Sequence, residues 1–187
     1  MTLEEYNKNP EQFVKEAMEL SLCYNSIMDY YGKKTTKRSG VKLMNHIDEG
    51  LKILSHLNAS TAAKGAFCLH PIFQGDDCIV DAMDTKLICF SQEIIALVME
   101  YRHVANSYLC RPLTDHYTMD HLSAFCPLNV EQVKLMLIAD KIQNRKDFEL
   151  YHKGVHARSN ELDKYFKQWL EYLGVDEDMY TSIASTL

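Results

Sequence analysis

The stretch from Val133 to Asn144, VKLMLIADKIQN, is the most apolar part of a helix predicted from Asn129 through Tyr151, and a helix of that composition has to pack in a core. Asp140 interrupts it. A carboxylate buried there without a cation or donors is costly, so Asp140 is ion-paired, hydrogen-bonded or bound to a metal. Asn144 lies one turn later on the same face. The two polar groups therefore form either a satisfied core pair or part of a ligand or metal site.

Outward from this segment the chain reads as helix after helix. Asn9 caps a first helix, with Pro10 at its first position and Gln12 at the third, and Gly32 stops it. A second helix is predicted from Leu43 to Leu57. A third runs from Ser60 to His70, ended by Pro71, because a residue before proline disfavours the helical backbone. Ser91 opens a fourth helix reaching Cys110, and Ser159 opens the sixth, through Leu173, with Gly174 as its stop. Residues 71–90 and 111–128 read as irregular, the latter with a helical turn near Met119, and a short acidic tail follows Gly174. No internal repeat or linker divides the chain, so the expected architecture is a single all-α domain of about six main helices over residues 1–187.

Composition supports that class. Only seven Gly and four Pro among 187 residues disfavour a turn-dense sandwich or barrel. The net charge of −6 disfavours broad nucleic-acid binding. No apolar run approaches a membrane span, and the N-terminal MTLEEYNKNPEQF has no apolar core of a signal peptide. Six scattered cysteines without CxxC spacing fit reduced thiols, so the expected setting is cytoplasmic. A protein partner or a second copy of the chain stays open.

The chemistry-bearing residues lie at helix ends. His46 enters the second helix directly after a basic segment holding Lys33, Lys34, Lys37, Arg38 and Lys42 without an acid between them. His70 stands just before Pro71. Two imidazoles and the Asp140 carboxylate, from three helices, are a ligand set suited to a divalent transition metal, although a lone His is more often a hydrogen-bonded core residue.

Four segments, in order, resemble one family. KRSGVKLMNHIDEGLKIL, AKGAFCLHP, LIADKIQNRKDF and KYFKQW are similar to the motifs of the RelA/SpoT hydrolase domain, an HD-type helical fold that removes pyrophosphate from guanosine tetra- and pentaphosphate. The likeness is closest to small stand-alone HD proteins of phage genomes, for which the compartment is the host cytoplasm. The resemblance implies a metal centre of His46, His70 and Asp140 with Mn²⁺ as the foremost ion. It places Lys37 and Arg38 at phosphate, Asn144 near the sugar and Tyr165 near the base of a phosphorylated nucleotide. Apart from the resemblance, Arg102 stands one turn before Asn106 on the fourth helix and suits either a surface flank or a further phosphate cation.

The chain also departs from the family. Where the family has His-Asp, this sequence has His70-Pro71, and where an adjacent Glu-Asp pair orients the attacking water it reads Gln74-Gly75. Asp76 and Asp77 follow and are the candidates to replace those carboxylates as catalytic groups. If one does, metal-assisted phosphoester hydrolysis is expected; if neither does, the fold is an inactive module that binds a nucleotide or a partner protein.

Overall fold

Asn9 accepts the Gln12 backbone N–H at 3.2 Å through its side chain, and with Pro10 at the first helical position it starts α1, Pro10–Tyr31, where the sequence places it. The computed structural model describes residues 9–37, 39–75, 89–111 and 118–187. Arg38, Asp76 and Asp77 lie outside them.

Seven more helices follow among the described residues: α2 Met44–His56, α3 Thr61–Phe73, α4 Gln92–Ser107, α5 Met119–Phe125, α6 Glu131–Tyr151, α7 Ser159–Tyr172 and α8 Glu177–Ala184. Extended pairing among the described residues is a single Thr35–Lys42 bridge. The fold is all-α, as the composition indicates.

The helix that contains Asp140 is the axis. From Met136 to Gln143 every residue of α6 is buried, because α2, α3, α4, α7 and α8 all pack on it. α1 closes the far side by packing on α3, and α3 in turn packs on α4. The start of α3 is tied to α6 as well: the Gln132 side chain accepts the Ser60 N–H at 2.9 Å, while Ser60 Oγ caps Ala63 N–H at 3.1 Å.

Three local readings need correction. α3 continues through Pro71 to Phe73 rather than ending at His70. Proline blocks only the bond its own N–H would make to Phe67, and the buried Ile72 and Phe73 hold the last turn in the core. The acidic tail is a helix: Asp176 caps Met179 N–H at 2.8 Å, and Glu177 takes both terminal nitrogens of the buried Arg145, at 2.9 and 2.6 Å. The Arg145 guanidinium also lies 3.9 Å from the Tyr180 ring centroid. The turn near Met119 is the short helix α5, capped by Thr118. Its buried Leu122 anchors it to the core. Two of these three corrections add a helix to the expected six.

α2 approaches α3 at Gly50, where a Cβ would fall on the Phe67 ring. Only glycine leaves room for that ring, and the ring in turn lies 5.5 Å from His46 and 4.8 Å from His70, centroid to centroid. Gly50→Ala overpacks this contact. It is expected to cost about 1–3 kcal/mol, read in thermal unfolding as a Tm lower by roughly 2–4 °C per kcal/mol for a chain of this size.

Candidate metal centre

His46 stands in the first turn of α2, His70 in the last turn of α3 and Asp140 at mid-α6. Packing of α2 and α3 on α6 brings the three side chains together at the floor of a cleft of about 300 Å³. His46 Nε2 lies 3.2 Å from His70 Nε2 and 3.6 Å from Asp140 Oδ1. With metal–ligand bonds of about 2.0–2.2 Å, two donors on one ion stand roughly 2.8–3.6 Å apart at angles from right to tetrahedral. Each residue offers one ligand atom, and all three lie within 4.8 Å of one another, so the group can hold a metal ion.

The protons on the two rings decide what those nitrogens offer. Gln143 Nε2 donates to two carboxylates, Glu49 at 3.1 Å and Asp147 at 2.8 Å, which fixes its amide and leaves Oε1 as the acceptor 2.6 Å from His46 Nδ1. His46 therefore carries its proton on Nδ1. His70 Nδ1 stands 2.6 Å from the Phe67 carbonyl, an acceptor only, so it too is the protonated nitrogen. Burial, with His46 adding to it, pushes the His70 imidazole down to about 3, so the ring is neutral near pH 7. The His70 Nε2 lone pair thus faces His46 Nε2 across 3.2 Å. Rings held from behind through Nδ1–H, with both Nε2 atoms turned toward one point, are the arrangement that metal-binding histidines use.

Asp140 is the anionic member. Burial pushes its carboxyl up, but the Lys141 ammonium 2.8 Å from Oδ2, followed by His46, outweighs burial and holds it down at about 2. Asn144 Nδ2 donates to Oδ1 at 2.8 Å, and the Tyr101 hydroxyl also bonds the carboxylate. These three donors take three of the about four lone-pair sites of the carboxylate and leave one for a further partner. The donor set fits a divalent transition ion: two imidazoles, one carboxylate and an open cleft above them.

The remaining expected site residues are spread more widely. Asn144 lines the cleft. The basic segment folds back on itself, with Thr36 N–H bonded to the Val41 carbonyl at 2.8 Å, a Thr36–Ser39 hydroxyl bond, and Gly40 at φ +72° making the bend. Thr36, Val41 and Lys42 of this turn line the cleft, while Lys37 is exposed and outside its lining. Tyr165 sits behind Lys141: the ammonium reaches its hydroxyl at 3.5 Å, and that hydroxyl donates to the Tyr108 carbonyl at 3.3 Å. Arg102 is half-buried on α4, and neither it nor Tyr165 lines the cleft. The neighbouring Asn106 donates to the Gln74 carbonyl at 3.1 Å.

Sequence reasoning missed Gln143, Lys141, Glu49 and Tyr101. The signal for the first two was that they stand in the same apolar run as Asp140, where a polar side chain needs a partner. Glu49 lies one turn after His46, and its buried carboxylate is answered by Lys146 at 2.7 Å as well as by Gln143.

Gln143→Leu removes the acceptor behind His46 while keeping the side-chain volume. Affinity for a divalent transition ion is expected to fall about 10–100-fold, read by calorimetric titration of wild type and variant, with circular dichroism reporting that the helices are retained. Neither a family model nor a curated protein matches this chain.

Proposed function

We propose that this chain is a divergent HD-type protein of the RelA/SpoT hydrolase kind, holding a divalent ion, Mn²⁺ foremost, and hydrolysing a phosphorylated nucleotide such as guanosine tetraphosphate in a cytoplasmic setting. The observation that carries this reading is the convergence of His46, His70 and Asp140, from three helices, with both Nε2 atoms turned inward. An ion bound there supplies Lewis acidity and lowers the pKa of a coordinated water.

The chain's own groups divide the remaining work. His46 and His70 hold the ion through Nε2 and Asp140 adds charge, kept in place by Asn144 and Lys141. Because Lys141 already balances Asp140, a divalent ion leaves the cleft floor with net positive charge, which favours an anionic ligand. Lys42 at the rim adds a cation where a phosphate would enter. The water-orienting carboxylate falls to Asp76 or Asp77, and Lys37 and Arg38 would meet outlying phosphates.

A second reading has its own observation. Pro71 occupies the place of the family's second metal-binding carboxylate and has no side-chain donor, which favours an inactive module that binds a nucleotide or a partner protein. Elemental analysis of the purified protein, with phosphate release measured over a nucleotide panel with and without Mn²⁺, separates the two. Stoichiometric metal and Mn²⁺-dependent turnover, both abolished in Asp140→Ala, are expected. Metal and nucleotide binding without turnover establishes the inactive module, and a protein that takes up no metal overturns the metal-centre reading.

A further inference from the structure

Pro71 stands inside α3 rather than after it, one residue past a buried histidine whose ring orientation sets the site. A regular α-helix pairs the N–H of residue 71 with the carbonyl of residue 67. Proline has no N–H, so the Phe67 carbonyl is released from the helix ladder. That carbonyl is the one His70 Nδ1 reaches, at 2.6 Å. A released carbonyl in a buried turn needs a donor, and in this structure the histidine meets that need.

We propose that Pro71 is a positioning residue that sets the His70 tautomer. By leaving the Phe67 carbonyl to the imidazole it fixes the ring proton on Nδ1 and turns the Nε2 lone pair toward His46 Nε2, 3.2 Å away. The two rings are then held by one logic from different sources. His46 is held by a side-chain amide, Gln143, whereas His70 is held by a backbone carbonyl that a proline sets free. The ring has little other freedom, packed 4.8 Å from Phe67 and 4.9 Å from Tyr101 between centroids. On this account the residue that costs the site a carboxylate gives it a pre-oriented imidazole. The tautomer follows from the chain alone; its consequence for affinity rests on the metal-centre reading above.

Pro71→Ala restores the backbone donor, which competes with His70 for the Phe67 carbonyl. ¹⁵N–¹H correlation spectra of metal-free protein report the tautomer. Wild type is expected to show His70 protonated on Nδ1, and Pro71→Ala to move it toward the Nε2–H form. Titration with Co²⁺ alone is expected to show affinity about 10–100-fold weaker in the variant. Its Tm is expected to rise, because a helix interior tolerates alanine better than proline. Stability and affinity moving in opposite directions is an outcome that a merely structural role for Pro71 does not produce. An Nε2–H tautomer in wild type, or an unchanged tautomer in Pro71→Ala, overturns the proposal. So does unchanged Co²⁺ affinity in the variant. A wild type that binds no Co²⁺ removes the metal-centre reading instead, and the tautomer measurement still decides the role of Pro71.

Discussion

A carboxylate whose side chain is 7% exposed needs partners on both oxygens, and the centre of this molecule is arranged around meeting that need for Asp140. Lys141 answers Oδ2, Asn144 answers Oδ1, and Tyr101 reaches in from α4. Each partner brings obligations of its own. The buried Lys141 ammonium, which burial alone would push toward the neutral form, keeps its charge beside Asp140 and extends the chain of contacts to Tyr165 and the Tyr108 carbonyl. It also lies 5.1 Å from the Trp169 ring centroid. One ionised group on α6 thus joins α4 and α7 as well as the two histidine-bearing helices.

A second polar row on α6 runs beside the first. Gln143 is gripped by Glu49 and Asp147, and Lys146 closes the ring by pairing with both carboxylates, at 2.7 and 2.9 Å. Buried charge of this kind adds little net stability, since desolvation offsets much of the attraction. Its effect is orientational. An amide held by two acceptors at its nitrogen has no freedom to flip, so the proton on His46 Nδ1 is fixed by Gln143 and by the carboxylates that hold it.

Much of this was legible in the sequence, and the parts that were not have physical reasons. Asp140 declared itself because a lone acid in an apolar run is expensive, and His46 and His70 because they sit at helix ends facing the same core. Asn144 followed from the one-turn spacing. Lys141 did not, because neighbouring helix positions point about 100° apart and only a long flexible side chain can curl back onto Asp140. Gln143 and Glu49 escaped because their pairing crosses from α6 to α2, and no local pattern encodes a contact between residues 94 apart. α3 runs past the end that Pro71 predicts. In the last turn of a helix proline removes a single hydrogen bond, and the burial of Ile72 and Phe73 outweighs that loss.

Phe67 ties the packing of the fold to the chemistry of the site. Its ring fills the space that Gly50 leaves between α2 and α3 and touches both imidazoles. Its carbonyl, two bonds from the same Cα, accepts the His70 Nδ1–H. The separation of α2 from α3 and the orientation of His70 are therefore set by one residue and cannot be adjusted independently. A small residue at 50, an aromatic at 67 and an imino acid at 71 make a single constraint. The mutual placement of His46 and His70 holds only while all three are met, which is why a site of just three side chains can still be closely defined.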